Sequence, residues 1–215
     1  RLPRAIRDVY KRQLSLHKID FGSTITNKST SLSRSETKSV HVKTKIMREN
    51  IDCFLPCDDI AVMENTLHDL RQSKCVRQIY LMVSEQFTQE NEVPQDCSLI
   101  RINRFTSSET MRKMAQLATA DYILLSRKAT PFTLGFHAMD RWLRVAVDAD
   151  ATCVYSDHYI SADGKQQPHP VIDYQEGSIR DDFDFGQLLL LKTETCKAFA
   201  EQADRDDYLY AGFYD

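Results

Sequence analysis

The sequence lacks a long apolar run. Nowhere do about 18 consecutive apolar residues occur, so no transmembrane helix is predicted. It also lacks an excess of positive charge: the formal net charge is −3, and without a basic face a nucleic-acid partner is not expected. The six cysteines form no CxxC pair. They are therefore predicted to be reduced, buried thiols of a cytoplasmic protein, with a disulfide or metal role as the less favoured alternative.

The first 48 residues lack the pattern of a packed domain. Residues 8–13 read like the in-frame translation of a sequencing-library adapter, so roughly the first thirteen residues are interpreted as a non-native scar. Residues 14–48 are rich in Ser, Thr and Lys and predict a flexible leader, with a loosely docked helix or strand as the alternative. Residues 49–215 are predicted to form one domain, interpreted as C-terminally truncated because it stops directly after an apolar-aromatic run.

From residue 51 onward, apolar runs alternate with amphipathic stretches. The pattern predicts helices at 59–73, 107–119, 132–147 and 193–203, and strands at 51–55, 76–83, 99–102, 121–125, 152–155 and 187–191. Strands that alternate with helices of about 10 to 15 residues indicate an α/β fold with a mostly parallel sheet flanked by helices. The polar stretch 156–186 carries turn signals and predicts an irregular loop region rich in acids and aromatics.

The order of four segments resembles that of family 2 glycosyltransferases, inverting enzymes with the GT-A fold. The segments are Ile51–Pro56, Ala118–Leu125, Val154–Asp157 followed by Asp163–Lys165, and Tyr210–Asp215. In the family they correspond to the first strand with its proline, the approach to the Asp-x-Asp loop, a strand with a hairpin, and the region before the acceptor-side helix. The likeness covers about residues 50–215 and is to a divergent bacterial member.

The resemblance implies a glycosyltransferase of the hexosyltransferase type that acts in cell-surface polysaccharide biosynthesis. Such an enzyme moves a sugar from a nucleotide-sugar to a glycan or lipid-linked acceptor, in the cytoplasm or at the inner face of the membrane. The alternative is a non-catalytic glycosyltransferase-like module that binds sugars or partners. Three departures favour that alternative, because the family's acids are replaced by Val83-Ser84, by Ser126-Arg127-Lys128 at the Asp-x-Asp position, and by Gly212-Phe213.

The candidate donor-binding residues follow the predicted strands. Carboxyl ends of parallel strands share one edge, where ligands bind, so Asp58, Lys128 and Asp157 are expected at a common site on strands 51–55, 121–125 and 152–155, which are predicted to be neighbours. Asp59 is a fourth candidate, with helix capping as its alternative. Lys128 or Arg127 is expected to offset diphosphate charge with less dependence on Mg²⁺ or Mn²⁺; the alternative is a solvated loop.

Metal, acceptor and catalytic candidates complete the sequence-based site. Asp157 and His158 could ligate Mg²⁺ or Mn²⁺ or orient a substrate hydroxyl, with a hydrogen-bonded loop as the alternative. The segment 173–186 interleaves acids with aromatics, as sugar sites do, although a solvated loop whose rings dock on the core is the alternative. Asp215 is the candidate general base. The predicted sugar contacts are Asp173, Tyr174, Glu176, Asp181 and Asp182.

Overall fold

A computed structural model describes residues 50–162, 164–171 and 184–203, together with one strand of the leader. In these ranges the helices are α1 (Ile60–Gln72), α2 (Ser108–Leu117), α3 (Ala138–Asp148) and α4 (Thr193–Ala203), with a short 3₁₀ turn at Glu90–Glu92. The strands are β1 (Leu16–Ile19), β2 (Ile51–Pro56), β3 (Val76–Ser84), β4 (Cys97–Ile102), β5 (Tyr122–Ser126), β6 (Cys153–Ser156), β7 (His158–Ala162), β8 (Lys165–His169) and β9 (Leu188–Lys192).

Seven of these strands form one sheet in the order β1-β6-β9-β5-β2-β3-β4. Six of them are parallel, and β9 runs antiparallel to both of its neighbours. The predicted α/β class with a mostly parallel sheet is confirmed. From β2 the chain adds β3 and β4 on one side and then β5 on the other. The strand order therefore reverses between β2 and β5, which makes their carboxyl ends the topological switch point of the sheet.

The position of β9 corrects one predicted neighbour relationship. Strands β2 and β5 are adjacent, as predicted, with Cys53 opposite Leu124, but β9 lies between β5 and β6. An apolar run such as Leu188–Leu191 carries no signal for strand direction, so its antiparallel insertion is not readable from the sequence. The ends of β2 and β6 are consequently about 14 Å apart, at roughly 4.8 Å per strand.

The leader contributes an edge strand. Strand β1 pairs in parallel with β6, from Leu16 opposite Cys153 to Ile19 opposite Ser156. The sequence predicts a flexible leader here, with a loosely docked helix or strand as the alternative, and for these four residues the structure shows the docked strand. Four residues are too few for a period to stand out within a stretch of polar composition, which explains why the pattern fails at this point.

Helices cover both faces of the sheet. On one face α1 and α3 pack through Met63, Leu67 and Leu143 onto Leu55, Leu124 and other buried strand residues. On the other face α2, with Met111 and Met114, and α4, with Cys196, pack onto the opposite sides of the same strands. Because alternate residues of a strand point to opposite faces, the central strands are buried throughout and are mainly apolar, with Asp52 in β2 and Ser126 in β5 as the polar residues.

Helix α3 begins later than the predicted start at residue 132. The segment before it is held against α1, because the buried Thr66 hydroxyl donates to the Phe132 carbonyl (2.8 Å) and accepts from the Phe132 N–H (3.0 Å). The Leu134 N–H also donates to Asp69 Oδ2 at 3.0 Å. These backbone groups are bonded to α1 rather than to a helix of their own. The helix starts only after His137, whose φ of 54° is left-handed.

A hairpin follows β6. Strands β7 and β8 pair antiparallel around Gly164, whose φ is 72°. The hairpin implied by the family resemblance is confirmed, whereas the irregular loop predicted from residue 156 is wrong for residues 158–162 and 165–169. Polar side chains such as Gln166 and Gln167 conceal these strands, because the hairpin is largely exposed and has no apolar face to reveal it.

Candidate functional site

The carboxyl ends of β2, β5 and β6 lie at one edge of the sheet, together with the start of β9. Asp58 follows β2 and Lys128 follows β5, and both side chains are exposed. Asp157 follows β6 and is half-buried. The structure therefore places all three predicted residues at the same edge. Asp58 and Lys128 flank the switch point, while Asp157 is displaced by the width of β9.

Asp59 has a structural function at this edge. Its Oδ1 accepts the Ala61 N–H at 2.9 Å and the Gln89 Nε2 at 3.4 Å, so it is the N-cap of α1. Gln89 also accepts the Ile60 N–H at 3.1 Å. The capping alternative is therefore what the structure shows for Asp59, and Asp58 is the acid that faces solvent at the end of β2.

The cysteine beside these acids is unreactive. Burial, with a further contribution from Asp58, raises the pKa of the Cys57 thiol to about 11. A thiol with this pKa stays protonated at neutral pH and is a poor nucleophile. All six cysteines of the chain are free in the structure, and the prediction that they are buried holds for five of them.

Arg127 links the end of β5 to the turn that precedes β9. Its side chain is only 8% exposed, and Nη1 donates to Asp184 Oδ1 at 2.7 Å and to the Gly186 carbonyl at 3.0 Å. Its backbone N–H donates to the Gln187 carbonyl at 2.8 Å. The guanidinium is engaged in holding two segments together, so Lys128 is the residue of this loop that can face a ligand.

The backbone on either side of Lys128 is fixed by hydrogen bonds. Ser126 Oγ donates to the Lys128 carbonyl at 2.9 Å. Gln187 Nε2 donates to the Thr130 carbonyl at 2.7 Å and to Ser126 Oγ at 3.2 Å. Sequence reasoning missed Gln187, because its partners are about sixty residues away and no motif marks it. The bonds hold the loop while leaving the Lys128 side chain in solvent.

Asp184 supplies the negative charge opposite this loop. Partial burial raises the pKa of its carboxyl. That effect is outweighed by hydrogen bonds from the Gly186 N–H and Arg127 and by the positive charges of Arg127 and Lys128. The pKa of the carboxyl therefore lies below its usual value. Asp184 is therefore anionic at neutral pH. Part of the Lys128 charge is balanced within the protein.

Asp157 and His158 lie at the base of the hairpin. Asp157 Oδ1 accepts the Val171 N–H at 2.7 Å, which is the hydrogen-bonded loop given as the alternative to a metal role. His158 is directly opposite His169, with ring centroids 4.7 Å apart. Burial, followed by the neighbouring His169, lowers the pKa of His158. The ring also packs on Gly186, where φ is 87° and an added Cβ would lie 3.2 Å from Nδ1.

Two findings concern metal binding and membrane spanning by the described residues. Within 50–162, 164–171 and 184–203 there is no group of three or more His, Cys, Asp or Glu side chains that could hold a metal ion, so Mg²⁺ or Mn²⁺ binding at Asp157 and His158 stays a prediction. The longest helix in these ranges has 13 residues, and none of those helices is long and apolar enough to cross a membrane.

The remaining sequence candidates lie outside the described residues. These are the predicted sugar contacts Asp173, Tyr174, Glu176, Asp181 and Asp182 and the candidate base Asp215. Their expected functions stay predictions.

Comparisons with known proteins leave the family open. No protein-family model matches the chain, and no curated protein matches it. Among solved structures, the bifunctional IspDF from Campylobacter jejuni is similar with a TM-score of 0.40 and 12% sequence identity, over 75% of this chain and 48% of that chain. The chain thus spans about half the length of that protein. A likeness at this level carries no inference about activity.

Proposed function

We propose that the chain binds a nucleotide-sugar at the carboxyl edge of its sheet and transfers the sugar to a glycan or lipid-linked acceptor. The observation that carries the proposal is the placement of Asp58 and Lys128, two exposed charged side chains at the ends of the strands where the order reverses. In open α/β sheets ligands bind in the crevice at this point. The segment order shared with family 2 glycosyltransferases supplies the reaction type.

The charges of Asp58 and Lys128 orient the bound nucleotide-sugar. A carboxylate such as Asp58 accepts hydrogen bonds from the N–H groups of a base or the hydroxyls of a ribose, but it repels phosphate. Lys128, on the neighbouring strand, attracts the diphosphate and offsets the charge that develops on it as the sugar leaves. The nucleoside therefore lies over β2 and the diphosphate over β5. On this arrangement donor binding depends less on a divalent cation than it does in glycosyltransferases that keep the Asp-x-Asp pair.

A second function, donor or sugar binding without transfer, is favoured by the hydrogen bonds of the acids at this edge. Asp59 caps α1, Asp157 accepts a loop N–H, and Asp184 pairs with Arg127. Three carboxylates that could act as metal ligands or bases are thus bonded to the protein itself. A non-catalytic module would keep the proposed nucleotide site and lack turnover.

Calorimetric titration of the whole chain with UDP-glucose, first with EDTA and then with Mg²⁺, tests the binding. Lys128→Ala is expected to weaken binding about 10- to 150-fold, which corresponds to 1.5–3 kcal/mol for a hydrogen bond to a charged group. Lys74→Ala is the matched control, because Lys74 is also exposed but lies in the turn before β3, at the opposite edge. Asp58→Asn is compared in the same way with Asp121→Asn, whose exposed carboxylate precedes β5.

The outcomes separate the two functions. Binding that Lys128→Ala weakens and Lys74→Ala does not, together with UDP release in the presence of acceptor glycans, supports the transferase. The same binding without release supports the binding module. If UDP-glucose, GDP-mannose and CDP all fail to bind, or if Lys74→Ala is as harmful as Lys128→Ala, the nucleotide site is refuted.

A further inference from the structure

We propose that His158 and His169 form a chelating site for a divalent transition-metal ion of the Zn²⁺, Ni²⁺ or Cu²⁺ class. The two residues are cross-strand partners at the base of the β7–β8 hairpin. They are half-buried, whereas most of the hairpin beyond them is exposed. The inference concerns a site about two strands away from Lys128 and does not depend on nucleotide binding.

The distance between the rings matches joint coordination of one ion. A metal at about 2.0–2.1 Å from an imidazole nitrogen lies roughly 3.2 Å from the ring centre. Two rings bound to the same ion at angles between a right angle and the tetrahedral angle then have centres about 4.5–5.2 Å apart. The observed separation of 4.7 Å falls within that interval. The hairpin therefore holds the two rings at a centre-to-centre spacing that is compatible with chelation of one ion.

The environment of His158 orients it as a ligand. The Ser156 backbone acts on the ring in the direction that stabilises its protonated form, and Nδ1 and Cε1 are the ring atoms that face Gly186. Metal-binding histidines commonly donate one ring N–H to a carbonyl, which fixes the ring and leaves the other nitrogen as the ligand. With Nδ1 on the Gly186 side as the donor, Nε2 is the nitrogen left to bind a metal. The absence of a side chain at Gly186 gives the ring room to take up this position.

Two carboxylates also act on the pair. Asp184 and Asp157 act electrostatically on the His158 ring in the direction that stabilises positive charge, while burial and His169 act more strongly in the opposite direction and lower its pKa. Imidazole ligands select Zn²⁺, Ni²⁺ and Cu²⁺ over the oxygen-preferring Mg²⁺ and Mn²⁺. The site therefore differs from the magnesium or manganese site expected from Asp157 and His158 in both its second ligand, His169, and its metal.

Titration of the whole chain with ZnCl₂ and NiCl₂, without nucleotide, tests the site. His169→Phe keeps a ring at the contact and removes both nitrogens; it is expected to weaken binding of either ion by at least about tenfold, as is His158→Phe, because a single imidazole replaces a chelating pair. His68→Ala, which removes an exposed helical histidine, is the control and should have no effect. Circular dichroism establishes that each variant is folded.

Electron paramagnetic resonance of the Cu²⁺-loaded chain gives an independent readout. Coupling to two imidazole nitrogens is expected in the parent chain and to one in His169→Phe. The proposal is overturned if the folded His169→Phe variant binds Zn²⁺ and Ni²⁺ as tightly as the parent, if His68→Ala weakens binding equally, or if Mg²⁺ competes at equal concentration.

Discussion

The most severe single substitution is expected at Asp52, a fully buried acid near the start of β2. Its Oδ2 accepts the N–H groups of Thr119 (2.8 Å) and Ala120 (3.0 Å), just before β5. It also accepts Arg77 Nη2 from β3 at 2.8 Å. One carboxylate thus fixes β2 to both of its neighbours. Asp52→Asn preserves the shape and removes the charge, and Asp52→Ala removes the acceptor altogether.

The magnitude follows from these three partners. Breaking a buried charge pair costs about 3–5 kcal/mol. The Arg77 side chain is 33% exposed and regains water when its partner is lost, so Asp52→Ala is expected near the lower end, about 3 kcal/mol. The amide oxygen of Asp52→Asn still accepts hydrogen bonds, but charge-assisted bonds are about twice as strong as neutral ones. We therefore expect a loss of about 2 kcal/mol for Asp52→Asn.

Urea unfolding followed by circular dichroism measures both values. Glu109→Gln is the matched control, because it removes the charge of a partly exposed acid that pairs with Lys113 across one helical turn; its cost should be about 0.5 kcal/mol. Hydrogen exchange should also accelerate selectively at the amides of β5 in Asp52→Asn. If Asp52→Asn costs no more than Glu109→Gln, the carboxylate does not fix the β2–β5 pair and the reasoning fails.

Two further predictions concern the turn before β9. Gly186→Ala should destabilise the fold by about 1–3 kcal/mol in urea unfolding, because φ is 87° and the added Cβ would lie 3.2 Å from His158. The control is Gly135→Ala, which has open space around it and should change stability by less than about 1 kcal/mol. Equal effects of the two substitutions would contradict the prediction. The lowered pKa of Asp184 contributes stability above the pKa of a free aspartate, which is lost as pH falls through the folded value. Carboxyl ¹³C NMR should show this low midpoint, Arg127→Gln should raise it, and an unchanged midpoint would show that the ion pair does not set it.

Elements whose signal is local could be predicted from the sequence. Strand β2 is a short apolar run that ends at Pro56, and α4 begins at Thr193 as predicted. The elements that differ depend on distant partners. The start of α3 is delayed by Thr66, 66 residues away, and the direction of β9 is set by its pairing with β5 and β6. No window of sequence around those elements contains this information.

The same limit applies to the candidate site. Sequence order was sufficient to bring Asp58, Lys128 and Asp157 to one edge, because parallel strands share their carboxyl ends. The capping bond of Asp59 was foreseen as an alternative, since its position before an amphipathic stretch is local. The pairing of Arg127 with Asp184 across 57 residues was not foreseen. Which charges are available to a ligand is therefore decided by long-range hydrogen bonds rather than by residue type.

The insertion of β9 also sets the charge balance of the proposed donor site. It brings Asp184 against Arg127, so the more buried of the two cations that follow β5 is neutralised within the protein. Lys128 then supplies the exposed positive charge at the end of β5, and part of its field is already offset by Asp184. A diphosphate carries more negative charge than one lysine can balance. The parent chain should consequently bind a nucleotide-sugar weakly, and Lys128→Ala should remove much of that binding. Among the residues that the structure describes, no second cation at the end of β5 is left exposed to compensate.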